Sequence, residues 1–314
     1  MTASEPVFDN YLIDRLPQVR GSLVPNGALA EQSWFRVGGP AEVLFHPTDV
    51  DDLAFFLAHC PADVPVTVLG AASNVLIRDG GIPGVVIRFS PSFASVKILS
   101  DGIHAGAAAI DLNVARTAQN IGVAGLEFLC GIPGTVGGGL RMNAGAYGRE
   151  FKDIVFMADV VERNGTRKTL SVAQIGFSYR ATKVPEDTIF VSAHLQGEEG
   201  DPDAIYARMQ DIRKKRRASQ PIGEKTGGST FANPENDPEG RKAWQLIEAA
   251  GCRGLKIGQA KVSERHCNFI INTGFATSAD IERLGEEVQK RVRDKFGIDL
   301  RWEVKRLGIE KAAS

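Results

Sequence analysis

Residues 131–148 read GIPGTVGGGLRMNAGAYG, and the fold turns on how this run is read. Seven of its eighteen residues are glycine, and Arg141 is its one charge. A residue without a Cβ reaches positive φ freely and lets the backbone lie close against a partner. That freedom also raises the entropy lost on folding, so something must offset so dense a run. A phosphate or flat ring held by backbone N–H groups would do so. A tight turn that packs a helix onto a sheet is the plainer alternative, and spacing alone leaves both open. The run is neither GxGxxG after a strand nor GxxxxGKS/T, so the dinucleotide fingerprint and the P-loop mechanism do not apply.

Outward from this run the chain has room for about two domains, since it holds 314 residues. Apolar residues make up 43% and charged residues 24%, the balance of a soluble globular protein. A net charge of −1 argues against a general nucleic-acid binder. No apolar run is long enough to span a bilayer. MTASEPVFDNYLIDRL has neither the basic nor the apolar part of a signal peptide. Cys60, Cys130, Cys252 and Cys267 are scattered without a CxxC pair, which fits reduced cytosolic thiols and no metal site.

Before the run, FRVGGPAEVLFHP (35–47) predicts a turn and a strand, Asp49 a capped helix, and PVTVLG (65–70) a buried strand. GAASNVLIRDGG (70–81) follows directly. There Gly70, Ala71, Ala72, Ser73 and Asn74 could form a nest of backbone donors for a pyrophosphate, or an ordinary Ser/Asn loop. Asp111 reads as the cap of a helix ended by Gly122. After the run, Asn164-Gly165 signals a two-residue type I′ hairpin. Asp201-Pro202 starts a helix with the stripe Ile205, Met209 and Ile212, and the acidic GEEGDPD beside it marks a boundary between residues 1–200 and 201–314. A long helix is expected from Thr277, and the closing RWEVKRLG reads as a strand that could return to the first unit. The fold class is α+β.

Outside the glycine run, three places could carry chemistry. Arg180 in Ser178-Tyr179-Arg180 has the planar fork that grips a carboxylate, although most arginines are simply solvated. GGSTFANP (227–234) offers the Ser229 hydroxyl behind glycines, or an ordinary Gly-Ser turn. Glu303 in WEV is a lone carboxylate. The basic run from Arg213 to Arg217 is either a solvated helix face or an anion site, with Arg213 and Arg217 on one side.

Taken together, GIPGTVGGGLRMNAGAYG, GAASNVLIRDGG, GGSTFANP and GLKIGQAKVSERHCNFIIN (254–272) closely resemble, in order, the motifs of the UDP-N-acetylenolpyruvoylglucosamine reductase family. The resemblance runs from about Phe35 to Gly308. It implies a flavin domain of the p-cresol-methylhydroxylase / vanillyl-alcohol-oxidase type followed by a smaller α+β substrate domain. It implies non-covalent FAD, held at residues 70–74 and at Gly131, Pro133, Gly134, Thr135, Gly137, Gly138, Asn143 and Gly145. NADPH is the implied hydride donor and UDP-N-acetylglucosamine enolpyruvate the substrate. Arg180 would bind the enolpyruvyl carboxylate, Ser229 would protonate the intermediate, and Glu303 would complete the catalytic set. Tyr179, Arg217, Asn233 and His266 would contact substrate. A cytoplasmic monomer that binds neither nucleic acid nor membrane is expected. The chain departs from the family pattern at Trp34, where a small hydroxyl residue is usual, and at Ala71 and Ala72, where glycine is usual. It also lacks room between Arg180 and Asp201 for the tyrosine-bearing loop of one family form. Another FAD oxidoreductase of the same fold and an idle UDP-sugar-binding module are the rival readings.

Overall fold

A computed structural model describes residues 7–9 and 11–311. Its first layer is a four-stranded sheet, in the order Ser22–Gly27, Ala41–His46, Ile82–Ile87, Val66–Val68. The parallel pairings of Ile82–Ile87 with both neighbours require crossovers. One of these is the helix Val50–His59, whose cap Asp49 accepts from the Asp52 N–H as its sequence position predicts. The helix buries Leu53, Phe56 and Leu57 against Val43 and Phe45 on one side and Val161, Ile189 and Val191 on the other. It is thus the filling between the first sheet and a second one.

That second sheet is five-stranded and wholly antiparallel, in the order Arg167–Ser171, Val155–Val161, Ile189–Leu195, Gly102–Gly106, Val96–Leu99. Its other face carries the largest core, roofed by the helices Asp111–Asn120, Val136–Met142 and Pro202–Ser219. The Asn164-Gly165 turn is longer than a two-residue hairpin. Val161 pairs with Arg167, the Gly165 N–H donates to the Glu162 carbonyl, and Gly165 sits at φ 82°. This is a turn closed by a left-handed glycine bulge. A Cβ on Gly165 would lie 2.5 Å from the Ala54 carbonyl oxygen, so the helix below fixes the loop. Asp111 does not cap its helix either. Ile110 is the cap, and the Asp111 carboxyl is fully buried with no hydrogen-bond partner on either oxygen. Burial pushes that carboxyl well above the usual carboxylate range.

The boundary expected after residue 200 falls inside a packed layer. Ile205, Met209 and Ile212 enter the same core as Leu129 and Cys130, so the helix Pro202–Ser219 packs with the first unit. The acidic segment before it is tied down as well, with Glu198–Glu199 paired to Val123–Ala124. The second unit begins after that helix. It is a three-stranded antiparallel sheet (Lys256–Ile257, Ala260–Val262, Ile270–Asn272) covered by the helices Ala243–Ala249 and Ser278–Phe296. The longer helix follows its sequence pattern. Thr277 makes a capping box, Ile281, Leu284, Val288 and Val292 are buried, and Gly297 ends it at φ 69°.

The two units interlock. Phe35, Val37 and Leu76 of the first belong to the core of the second. Asp79 accepts from the Ser278 and Ala279 N–H groups at 3.0 and 3.1 Å. Arg78 forks onto Glu282 one turn further along. A carboxylate on the first N–H groups of a helix adds about 0.5–2 kcal/mol. Lys305–Leu307 pairs in parallel with Val75–Ile77, so the chain returns beside the 70–74 loop.

Candidate active site

Each candidate residue is placed by a local feature of its own segment. Arg180 stands on a tight turn in which Ser178 and Ala181 exchange both backbone hydrogen bonds. Its φ of 55° is the left-handed value a type II turn demands at its third position, usually met by Gly or Asn. An L-residue there costs about 1–2 kcal/mol, and the side chain is held in return. The guanidinium Nε donates to Glu303 at 2.9 Å, and the terminal nitrogens donate to the Asn143 and Gly145 carbonyls at 3.4 and 3.1 Å. It also lies over the Tyr179 ring at 5.2 Å.

Glu303 and Ser229 are brought together by strand-like pairing. Ala232 donates to the Arg301 carbonyl, Phe231 bridges Trp302, and the Glu303 N–H donates to the Thr230 carbonyl at 2.8 Å. Ser229 is therefore one residue from a direct bond to Glu303's backbone. Asn268, which the sequence reading passed over, makes this segment rigid. It is buried, bonds the Phe231 N–H and carbonyl through its side chain, and receives the Thr230 N–H on its own carbonyl. A lone Asn at a strand entrance gave no signal of this. Asn74 closes the ring, since its side-chain amide donates to the Glu303 carbonyl at 3.2 Å and its carbonyl accepts from Lys305.

A cofactor held by backbone donors needs open glycine faces, and the glycine runs divide into packed and open ones. A Cβ on Gly137 would meet Ala107 at 2.9 Å, one on Gly139 the Phe151 ring at 2.2 Å, and one on Gly131 the Tyr147 ring at 2.7 Å. Gly134 leaves room for Asp111, and Gly145 for Arg149 and Glu150 in a hairpin. Gly138 is different, because it is exposed and its nearest neighbour would be the Thr135 hydroxyl at 3.8 Å. The N–H groups around it are used, Val136 on Ala109, Gly137 on Ala107 and Gly139 on Thr135. The Gly138 N–H is thus left open at the helix start. A Cβ on Gly70 would lie 2.7 Å from the Thr135 hydroxyl, and one on Gly228, at φ 81°, 3.9 Å from the Ser73 carbonyl. The 70–74 loop, the start of the Val136 helix and Gly228 therefore surround one space. Its polar rim fits a flavin with a diphosphate tail.

Not every expected ligand lies on that space. Asn143 is a correction, because its side chain is spent on Glu150, Ser178 and Lys152 and has no bond to offer a flavin. Tyr179, Arg180 and Asn233 line a neighbouring cavity of about 480 Å³ together with Gly145, Arg149 and Lys152. Burial raises the Tyr179 hydroxyl, helped by the Glu303 charge. Asn233 commits its oxygen to the Ala243 N–H at 3.1 Å. Arg217 is exposed and does not line this cavity. It is Arg216 that turns inward, bonding Gln220 beside Tyr147. His266 does not line the cavity either. It packs edge-on to Phe269 at 4.8 Å, and burial lowers it towards the neutral imidazole. All four thiols are buried, and burial raises each of them, which removes a reactive cysteine. Among the described residues no three or more His, Cys, Asp or Glu side chains cluster so as to hold a metal ion.

The fold defines a flavoprotein of two units, with the Arg180–Glu303 pair and the Ser229 segment where they meet. Residues 41–171 match the FAD binding domain family, and residues 220–307 match the family described as UDP-N-acetylenolpyruvoylglucosamine reductase, C-terminal domain. The chain is 58% identical over 299 residues to UDP-N-acetylenolpyruvoylglucosamine reductase of Rhodospirillum rubrum, covering 95% of this chain and 94% of the relative. It is 56% identical to that of Parvibaculum lavamentivorans, with 96% of each covered. Among solved structures it superposes on the reductase of Thermus caldophilus with a TM-score of 0.78 at 30% identity, covering 93% of this chain and all of that one. The chain belongs to the UDP-N-acetylenolpyruvoylglucosamine reductase family. Its fold is the α+β arrangement of an FAD-binding domain with a smaller α+β unit.

Proposed function

We propose that this protein reduces UDP-N-acetylglucosamine enolpyruvate to UDP-N-acetylmuramate, consuming NADPH. The product is a peptidoglycan precursor, so the reaction serves wall growth and with it cell shape and division. We place the enzyme in the cytoplasm as a monomer. Among the described residues no helix is long and apolar enough to cross a membrane.

FAD, when bound, would supply the hydride chemistry, with NADPH as the source of the hydride. The chain's own residues do the rest. Gly138 and the 70–74 loop supply donors for the cofactor. The Arg180 fork binds the substrate carboxylate and offsets the charge that develops on it as hydride arrives. Ser229 gives its proton to the adjacent carbon, which completes the addition of hydride and proton across the double bond. Glu303 aims the Arg180 fork and keeps it from swinging into solvent. Tyr179 and Asn233 contact the remainder of the substrate.

The observation that carries this reading is the Arg180–Glu303 pair at 2.9 Å. It joins the first unit to the segment paired with the Ser229 loop. The test is stopped-flow flavin absorbance in two mixes, enzyme with NADPH and then reduced enzyme with enolpyruvate substrate. Ser229→Ala should bleach normally in the first. Product formation should slow about 10²- to 10⁴-fold, the usual loss of a positioned acid. Equal slowing of both mixes, or unimpaired turnover, would remove Ser229 from the chemistry.

A further inference from the structure

Asn143 is fully buried, and every polar atom it owns is used. Its N–H donates to Leu140, and its carbonyl accepts from Arg180. Its side-chain amide donates at 3.0 Å to both the Glu150 carboxylate and the Ser178 carbonyl, and its side-chain oxygen accepts the Lys152 N–H at 3.0 Å. It closes the helix Val136–Met142 in the left-handed conformation, φ 40° and ψ 52°. Three segments thus meet on one side chain: the end of the glycine helix, the arm Glu150–Lys152, and the turn that carries Arg180.

We propose that Asn143 is a positioning residue for Arg180. It fixes the Ser178 end of the strained turn from one side while its own carbonyl steadies the guanidinium from the other, so that the fork is aimed at Glu303. The inference rests on the role of Arg180 given above. The residue type follows from the demands of the place. Positive φ restricts it to Gly, Asn or Asp at low cost. Glycine offers no side-chain bonds. Aspartate has no donor for Ser178 and would set a second carboxylate against Glu150. Asparagine alone meets all three contacts.

The test uses the flavin-loaded enzyme with Asn143→Gly and Asn143→Asp, each alone and combined with Arg180→Ala, in the two stopped-flow mixes. Bleaching by NADPH should be unchanged. Reoxidation by enolpyruvate substrate should slow about 10²-fold, the scale of a misplaced catalytic group. In the Arg180→Ala background neither change should cost anything further, because its effect runs through that side chain. Equal slowing of both mixes, full additivity with Arg180→Ala, or failure of both variants to retain flavin would make Asn143 a folding residue and overturn the inference. Unchanged reoxidation in the Asn143 variants, with Arg180→Ala slow, would sink this inference alone. Unchanged reoxidation in Arg180→Ala would sink the assignment of Arg180 and this inference with it.

Discussion

The two glycine clusters at the site, 137–139 in the first unit and 227–228 in the second, are built alike. In each, one glycine is pressed against an aromatic ring, Gly139 on Phe151 and Gly227 on Phe35. In each, the neighbouring glycine faces open space, Gly138 in the first turn of the helix and Gly228 beside Ser73. They differ in backbone. Gly228 lies at φ 81°, whereas Gly138 is in a helix. Glycine density therefore does not mark ligand contact; the direction in which a Cβ would point does. Gly138 alone among these is free to accept a side chain without strain, so it is the clean probe of the cofactor face.

The largest effect is expected on the packed side of the comparison. Gly139→Ala forces a methyl into the Phe151 ring and should destabilise by about 3 kcal/mol, read by denaturant unfolding. A neutral outcome would erase the distinction between packed and open glycines. On the open side, Gly138→Leu should fold with near-normal stability yet weaken FAD binding at least about tenfold, or 1.4 kcal/mol, measured by flavin release and spectrum. Full flavin occupancy would move the cofactor off this face.

Behind Gly134, Asp111 sharpens the contrast between a glycine that makes room for a ligand and one that makes room for a buried group. Its raised pKa means that the folded state holds the proton more tightly than the unfolded chain does. The cost to stability is therefore absent below the unfolded value and grows as pH rises above it. Asp111→Asn should raise stability at pH 7, read by denaturant unfolding, and the gain should fade as pH falls towards the unfolded carboxyl's value, about 4. A gain independent of pH would mean that ionisation is not its source.

The smallest effect belongs to Ala72, a non-glycine at φ 48° in the loop where the family pattern has glycine. Ala72→Gly relieves about 1–2 kcal/mol of left-handed strain but exposes about one methyl's worth of burial, roughly 0.8 kcal/mol. A net gain under about 1 kcal/mol is expected by thermal melting, and a clear loss would show that the methyl packing dominates.

What the sequence made legible follows from locality. The Thr277 helix carries its cap, stripe and terminal glycine in adjacent positions, so it was readable. Arg180, Ser229 and Glu303 stood out only because whole motifs resemble a family; nothing local tells that Arg180 occupies a strained turn or that Glu303 lies 2.9 Å from it. The place of Pro202–Ser219 was misjudged because an acidic, turn-rich segment resembles a linker, whereas Glu198–Glu199 pair as strand. Asn143 was read as a flavin ligand because it sits in the glycine run, and the partners that occupy it come from 7, 9 and 35 residues away. Arg217 and His266 lack local signals too, since neither a charge run on a helix nor a residue between two strands says which way its side chain points.

One feature of the architecture bears on how the protein comes into being. Asn74 takes its side-chain partner 229 residues downstream, and Val75–Ile77 take their neighbouring strand at Lys305–Leu307. A ribosome makes the cradle long before the strap that fastens it, and pairings this distant close slowly. During synthesis the first unit waits with its 70–74 loop unfastened, and Arg180 waits without its carboxylate. Both are completed by the same few residues, so a nascent chain stopped short of Glu303 would lack the fastened 70–74 loop and the Arg180–Glu303 pair together.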